Sequence, residues 1–127
     1  MEKILVIGCS GQIGSELTLE LRKMYGESNV IATDIRPAPQ EVAESGPFEI
    51  LDVLDAAKLQ LIVEHENITQ IYHLAAILSG NAEKRPVPSW NINMRSLMNV
   101  LEVAREMKLK KIFWPSSISE SLTSISV

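Results

Sequence analysis

Three glycines at a spacing of three, Gly8, Gly11 and Gly14, follow an unbroken apolar run from Ile4 to Ile7 and precede a helix-forming segment. That combination can hold a pyrophosphate. Gly8 lets the strand turn sharply, and Gly11 lets the backbone come close to phosphate oxygens. Gly14 lets the helix pack tightly on the strand, while the free N–H groups at the helix N-terminus face the anion. The expected cofactor loop is therefore Gly8, Ser10, Gly11, Gln12, Ile13 and Gly14. The spacing is G-x-x-G-x-x-G and not G-x-G-x-x-G, so the triplet gains its meaning from its surroundings. Cys9 lies in the same loop, where a helix N-terminus can lower a thiol pKa. It is read here as a small tolerated side chain.

Other residues with chemical capacity recur at the ends of apolar runs. Asp34 stands about 20 residues past the glycines, where a carboxylate can accept both hydroxyls of an adenosine ribose. An acid there repels a 2′-phosphate and favours NAD over NADP; the plain alternative is a loop acid. Arg36 can tolerate a phosphate or be a solvated arginine. Asp52 can accept from an adenine amine while Val53 packs on the ring, or it can cap the following turn. Ala75 and Ala76 are small enough for a dinucleotide to cross the sheet edge, or for a helix to pack. Ser116 and Ser117 can donate to a substrate oxygen, or simply form a turn. His65 and His73 have no cysteine or closely spaced carboxylate beside them, so a structural role is expected and no metal site.

These residues need elements to bring them together. Residues 3–7 have the unbroken apolar pattern of a buried parallel strand. Residues 12–25 predict a helix with Ile13, Leu17, Leu21 and Met24 on one face, stopped by Gly26. A second strand ends at Asp34, and a proline-containing loop with a short helical turn at 41–44 leads to a third strand at 48–51. Asp55 is the expected N-cap of a helix over 56–66, with Leu59, Ile62 and Val63 facing inward. A fourth strand spans 71–74, and an irregular connection runs to Pro88. A long helix over 90–107 follows, with Ile92, Leu97, Val100, Leu101 and Ala104 as its apolar stripe. A fifth strand at 111–114 ends at Pro115. The alternation predicts an α/β fold, a Rossmann-type doubly wound parallel sheet of order 3-2-1-4-5, truncated after the fifth strand. Its switch point lies between the first and fourth strands, and Gly8 to Gly14, Asp34, Asp52, His73 to Ala76, Ser116 and Ser117 sit at carboxyl ends of strands.

Composition sets bounds. The 127 residues suit one domain, and the net charge of −4 gives no support to nucleic-acid or anionic-membrane binding. The single cysteine allows no internal disulfide. With no signal-like leader and no long apolar run, a cytoplasmic location is expected.

Taken together, Gly8 to Gly14, Thr33 to Arg36, Leu51 to Val53, His73 to Ala76 and Pro115 to Ser117 resemble the extended short-chain dehydrogenase/reductase family, the NAD-dependent epimerases and dehydratases. Within it, Ile68 to Ser79, Trp90 to Met94 and Asn99 to Trp114 look most like the short-chain-type L-threonine 3-dehydrogenases. The resemblance covers residues 2 to about 117. It implies NAD as cofactor and a small amino-acid substrate in the full-length family; a sugar-nucleotide substrate, as in UDP-glucose 4-epimerase, is the alternative. It implies Ser117 as the catalytic serine, Ser116 near the nicotinamide and Asn93 as the asparagine bracing the cofactor site. Leu74, Ala75 and Ala76 would lie along the cofactor, and Ser79 near the substrate. It also implies self-association through the helix 90–107; because a truncated sheet leaves that helix without neighbours, Trp90, Met94, Leu97 and Leu101 are expected in the contact.

Two departures accompany the resemblance. The family's catalytic tyrosine, with a lysine four residues on, has no counterpart: Tyr25 is followed at that distance by Asn29, and Tyr72 by Ala76. The segment 118–127 departs from the family's aromatic-glycine turn and is expected to be an atypical Ser-rich tail outside an incomplete NAD-binding domain of residues 1–117. This chain alone is then expected to be inactive, a non-catalytic dinucleotide-binding fragment being the alternative to a working enzyme.

Overall fold

The computed structural model describes residues 2–74, 86–115 and 122–126, with side chains over 2–74 and 95–114. Strand β1 (Ile4–Ile7) leads to helix α1 (Gln12–Tyr25), β2 (Val30–Asp34), the short α2 (Gln40–Ser45), β3 (Phe48–Ile50), α3 (Ala56–His65), β4 (Gln70–His73), α4 (Pro86–Glu106), β5 (Lys111–Pro115) and β6 (Leu122–Ser126). The sheet order is β3-β2-β1-β4-β5-β6. The first five strands are parallel and stand in the order expected from the sequence.

The sixth strand corrects the expectation that the sheet stops at β5. The Ser-rich segment pairs antiparallel with β5, from Lys111 opposite Ser126 to Pro115 opposite Leu122. A lone edge strand presents unpaired N–H and C=O groups, and an extended segment such as Leu122-Thr123-Ser124-Ile125-Ser126 can satisfy them. Pro115 accordingly closes β5 as its last residue instead of lying beyond it, because a final position can do without a ladder N–H.

Side-chain alternation along the strands divides the core in two. Leu5, Ile7, Ile31 and Ile71 face a cluster built with Leu59, Ile62 and Val63 of α3 and Val100, Val103 and Ala104 of α4. Ile4, Val6, Val30 and Ala32 face the other layer, where Leu21 of α1 and Val42 of α2 complete the packing. The Tyr72 and Phe113 rings stack in this second layer, with centroids 4.3 Å apart and planes at 8°. The helix α3 starts as its sequence predicts, with Asp55 Oδ1 accepting from the Lys58 N–H at 3.2 Å.

The face of α1 differs from its apolar stripe. Gly14, Thr18, Leu21 and Arg22 are the buried residues, whereas Ile13 is 47% exposed and Met24 71% exposed. The reason lies at Gly14. A Cβ there would fall within van der Waals contact of the Gly8 carbonyl oxygen and 3.0 Å from Cys9 Cα. This close approach sets the rotation of the helix, and the rows at i+4, i+7 and i+8 from Gly14 follow it into the interface.

Arg22 is consequently buried, and all five of its N–H donors find oxygen. Nε and Nη2 donate to the Val30 carbonyl at 3.3 and 3.1 Å, and Nη2 also to the Pro47 carbonyl at 2.6 Å. Nη1 donates to the Val42 carbonyl at 2.6 Å and Ser45 Oγ at 2.8 Å. One side chain therefore ties α1 to β2, α2 and the start of β3. Burial lowers its pKa.

Candidate functional site

The glycine turn is held from below by β2. Gly8 and Cys9 donate their N–H groups to the Thr33 carbonyl at 2.9 and 3.1 Å, and Gly8 adopts φ 96°, a conformation open to glycine. Helix α1 begins just beyond. Its N-cap Gly11 offers no side-chain hydrogen bond, and its first turn holds no acid. Gln12 and Ile13 are exposed. The first N–H groups of α1 are therefore uncapped by any side chain and uncountered by a local carboxylate, the condition under which a helix N-terminus accepts an anion.

Asp34 ends β2 beside this turn. Its carboxylate is buried, with Oδ2 accepting from the Ser10 N–H and Oδ1 from the Arg36 N–H, each at 3.0 Å. The exposed Arg36 guanidinium stands 3.8 Å from Oδ1. Two backbone bonds use half of the four or so lone-pair sites of a carboxylate and leave capacity for hydroxyl donors. Ser10 Oγ donates to the Pro37 carbonyl at 2.9 Å, so the loop after β1 and the loop after β2 meet over the carboxylate.

The next strand end is tied in by the backbone: the Leu51 N–H donates to the Asp34 carbonyl at 2.9 Å. Asp52 follows, exposed, with Oδ1 accepting from the Leu54 N–H at 3.0 Å. The turn-capping geometry weighed from the sequence is thus present, and the second oxygen accepts no bond among the described residues. Val53 is 8% exposed and packs in the α3–α4 core. The turn folds its side chain inward.

On the other side of β1, the Leu74 N–H donates to the Ile7 carbonyl at 2.8 Å, and Leu74 is buried. Gly8 to Gly14, Asp34, Arg36, Asp52, Val53 and Leu74 therefore gather along one edge of the sheet, on both sides of the β1–β4 switch point. Ala75, Ala76, Ser79, Ser116 and Ser117 lie outside the described residues. Asn93 lies within α4, but its side chain is outside them. A cavity of about 340 Å³ lined by Glu49, Lys58, Leu61, Ile62, His65 and Glu66 shares no residue with this group.

Two titratable groups near the switch point are shifted by burial. The Cys9 thiol is fully buried and pushed up to about 11 by desolvation, with the Asp34 charge adding to it. Desolvation outweighs any effect of the helix N-terminus, since the side chain turns into the α1 layer. His73 is buried and its imidazole pushed down to about 4 by desolvation, so it is neutral at pH 7. Neither ring nitrogen has a hydrogen-bond partner among the described residues.

Sequence reasoning passed over two structural supports of this edge. Arg22 fixes the far end of the loop that carries Arg36 and Pro37, and its position eight residues after Gly14 was the available signal. Asn99 of α4 reaches the turn after β3, and nothing in the local pattern marks it.

Comparison with known proteins gives the following. Residues 4–121 match the profile of the NAD dependent epimerase/dehydratase family. An uncharacterized epimerase/dehydratase of Staphylococcus saprophyticus is 51% identical over 119 residues, which cover 93% of this chain and 37% of that protein. A partial consensus L-threonine 3-dehydrogenase superposes with a TM-score of 0.83 at 55% identity, covering 91% of this chain and 37% of that one. The L-threonine dehydrogenase of Clostridium difficile superposes with a TM-score of 0.84 at 50% identity, covering 93% and 37%. A UDP-glucose 4-epimerase superposes with a TM-score of 0.76 at 30% identity, covering 91% and 35%. The chain thus spans somewhat more than a third of the length of these relatives.

Proposed function

The chain belongs to the NAD-dependent epimerase/dehydratase family, and we propose that its 127 residues are the NAD-holding part of an oxidoreductase resembling L-threonine 3-dehydrogenase. The observation that carries this is the linkage of the glycine turn to Asp34. The Ser10 N–H, at the tip of the loop, donates to a carboxylate placed where an adenosine ribose would lie.

The residues fit the cofactor on their own chemistry. Only a residue without a Cβ can occupy position 14 against the Gly8 carbonyl, and the start of α1 that follows is open to a diphosphate. Asp34 has acceptor capacity left for ribose hydroxyls and would repel a 2′-phosphate. Asp52, with one oxygen occupied by its own turn, has the other for an adenine amine. Bound NAD supplies a hydride acceptor. By resemblance, Leu74, Ala75 and Ala76 pass under the dinucleotide, Ser116 lies near its nicotinamide and Asn93 braces the site. Ser117 would hold the substrate hydroxyl, and Ser79 would contact the substrate.

The chain contains no tyrosine followed four residues later by lysine. Hydride removal from an alcohol needs a base for the hydroxyl proton, and loss of general base catalysis costs roughly two to four orders of magnitude. These 127 residues are therefore proposed to bind NAD without turning over threonine. The UDP-glucose 4-epimerase relation is the second reading, resting on the lower identity of 30%. Self-association through α4 is also proposed. Leu101 is partly buried against the α3–α4 core cluster, and the neighbouring Met98 is 50% exposed.

Calorimetric titration of the purified chain with NAD and NADP tests the proposal. Binding of NAD in preference to NADP is expected. Absence of binding to either removes the cofactor reading, and threonine-dependent NAD reduction by this chain refutes the inactive reading. Binding of UDP-glucose, and not of threonine, to the NAD-loaded chain would favour the epimerase relation.

A further inference from the structure

The turn after β3 is held by a side chain from a different layer. Asn99, half-buried on α4, donates from Nδ2 to the Val53 carbonyl at 3.1 Å and to the Leu54 carbonyl at 3.3 Å. One amide group thus satisfies two successive carbonyls that have no strand partner. Helix α4 is itself anchored by Val100, Val103 and Ala104, all buried in the core next to Asn99. The turn is therefore referenced to a rigid element as well as to its own chain.

The turn has three further ties. Val53 is sunk in the core, the Leu51 N–H reaches the Asp34 carbonyl, and the Asp55 N–H reaches the Asp52 carbonyl at 2.8 Å. Asp52 is exposed and spends Oδ1 on the Leu54 N–H. Its carboxylate is oriented by the Leu54 peptide, and that peptide is oriented by Asn99. A rotation of the Val53–Leu54 segment would turn the carboxylate with it, even with every bond inside the turn intact.

We propose that Asn99 is a positioning residue for adenine recognition: it fixes the Val53–Leu54 peptides so that the Asp52 carboxylate points at the exocyclic amine of a bound adenine. This rests on the cofactor reading above, in which Asp52 accepts from that amine. Asn99 does not touch the base. Its effect reaches the ligand only through the direction of Asp52.

The test is calorimetric titration of the chain and its Asn99→Leu variant with NAD and with nicotinamide hypoxanthine dinucleotide. The second ligand carries a carbonyl oxygen where adenine carries the amine, with N1 protonated in consequence, and is otherwise the same. The unaltered chain is expected to prefer NAD by roughly tenfold, the scale of one hydrogen bond to a charged group. Asn99→Leu should weaken NAD several-fold, leave the hypoxanthine ligand nearly unchanged and so collapse the preference. Asn99→Asp, of the same shape but with the donor replaced by an acceptor, should do the same and serves if the leucine variant does not fold. In an Asp52→Asn background, Asn99→Leu should have no further effect on the preference.

Retention of the preference in both Asn99 variants overturns the proposal. Equal weakening of both ligands also overturns it and assigns Asn99 a purely structural role. An unaltered chain that binds both ligands alike removes Asp52 from adenine recognition, and this proposal with it, while leaving cofactor binding in place. An unaltered chain that binds neither overturns the cofactor reading itself.

Discussion

A glycine spacing acquires its meaning only when the space around each residue is known. Position 14 has no room for a methyl group, because the Gly8 carbonyl oxygen and Cys9 Cα already occupy it. Gly14→Ala should force α1 away from β1, lower stability by about 1–3 kcal/mol and remove NAD binding more completely than that loss accounts for. Chemical denaturation and titration of the same sample measure the two effects. At the opposite end of the sheet, Glu2 is held by Lys110 Nζ at 2.8 Å, Gln70 Nε2 at 2.8 Å and Thr69 Oγ1 at 3.0 Å. These bonds, that to Lys110 foremost, lower its carboxyl from 4.5 to about 2. A carboxyl whose folded pKa lies below its unfolded pKa stabilises the protein above the unfolded value. That contribution fades as pH falls from about 4.5 toward 2. Glu2→Gln should flatten the stability profile in that window and leave its shape above pH 5 unchanged, read by thermal melts at stepped pH.

At the scale of elements, α1 shows how a close approach outranks an apolar stripe. Ile13 and Met24 are exposed because Gly14 must touch β1, and Arg22 is buried for the same reason. The buried guanidinium becomes a staple between α1, β2, α2 and β3, with every donor on an uncharged oxygen. Arg22→Met should take a donor from the Val30, Val42 and Pro47 carbonyls, of which Val42 keeps the Ser45 hydroxyl and Pro47 the Ala32 N–H, and cost about 2–4 kcal/mol, less than three fully unsatisfied groups would. Arg22→Lys should recover little, since an ammonium cannot reproduce the planar fork. Midpoints of urea unfolding for the two variants decide this. A lysine variant as stable as the unaltered chain would reduce the staple to a simple charge.

Over the described residues the molecule is a six-stranded sheet between two helical layers, and its least expected part is its last strand. β6 gives β5 a second neighbour along all five of its residues, from Lys111 to Pro115. Removing residues 122–127 should expose the β5 edge, lower the melting temperature and promote association through strand edges, visible by light scattering and sedimentation. A monodisperse and equally stable shortened chain would mean that β6 contributes little. Among the described residues no helix is long and apolar enough to cross a membrane.

The sequence by itself determined the layers, the strand order and which side-chain types stand at the strand ends. An unbroken apolar run closing on Gly8, a helix between Gly11 and Gly26, an acid at position 34 and a cap at Asp55 are local signals. Right-handed crossovers leave few ways to assemble them. The tertiary structure decided what depends on distance between elements. It turned Arg22 and Thr18 inward, raised the Cys9 thiol where a helix N-terminus alone would lower it, folded Val53 into the core, paired a serine-rich segment with β5 and placed Asn99 against the Asp52 turn. Each of these follows from contacts across long stretches of chain, where burial and backbone pairing outweigh local propensity, and no local pattern carries that information.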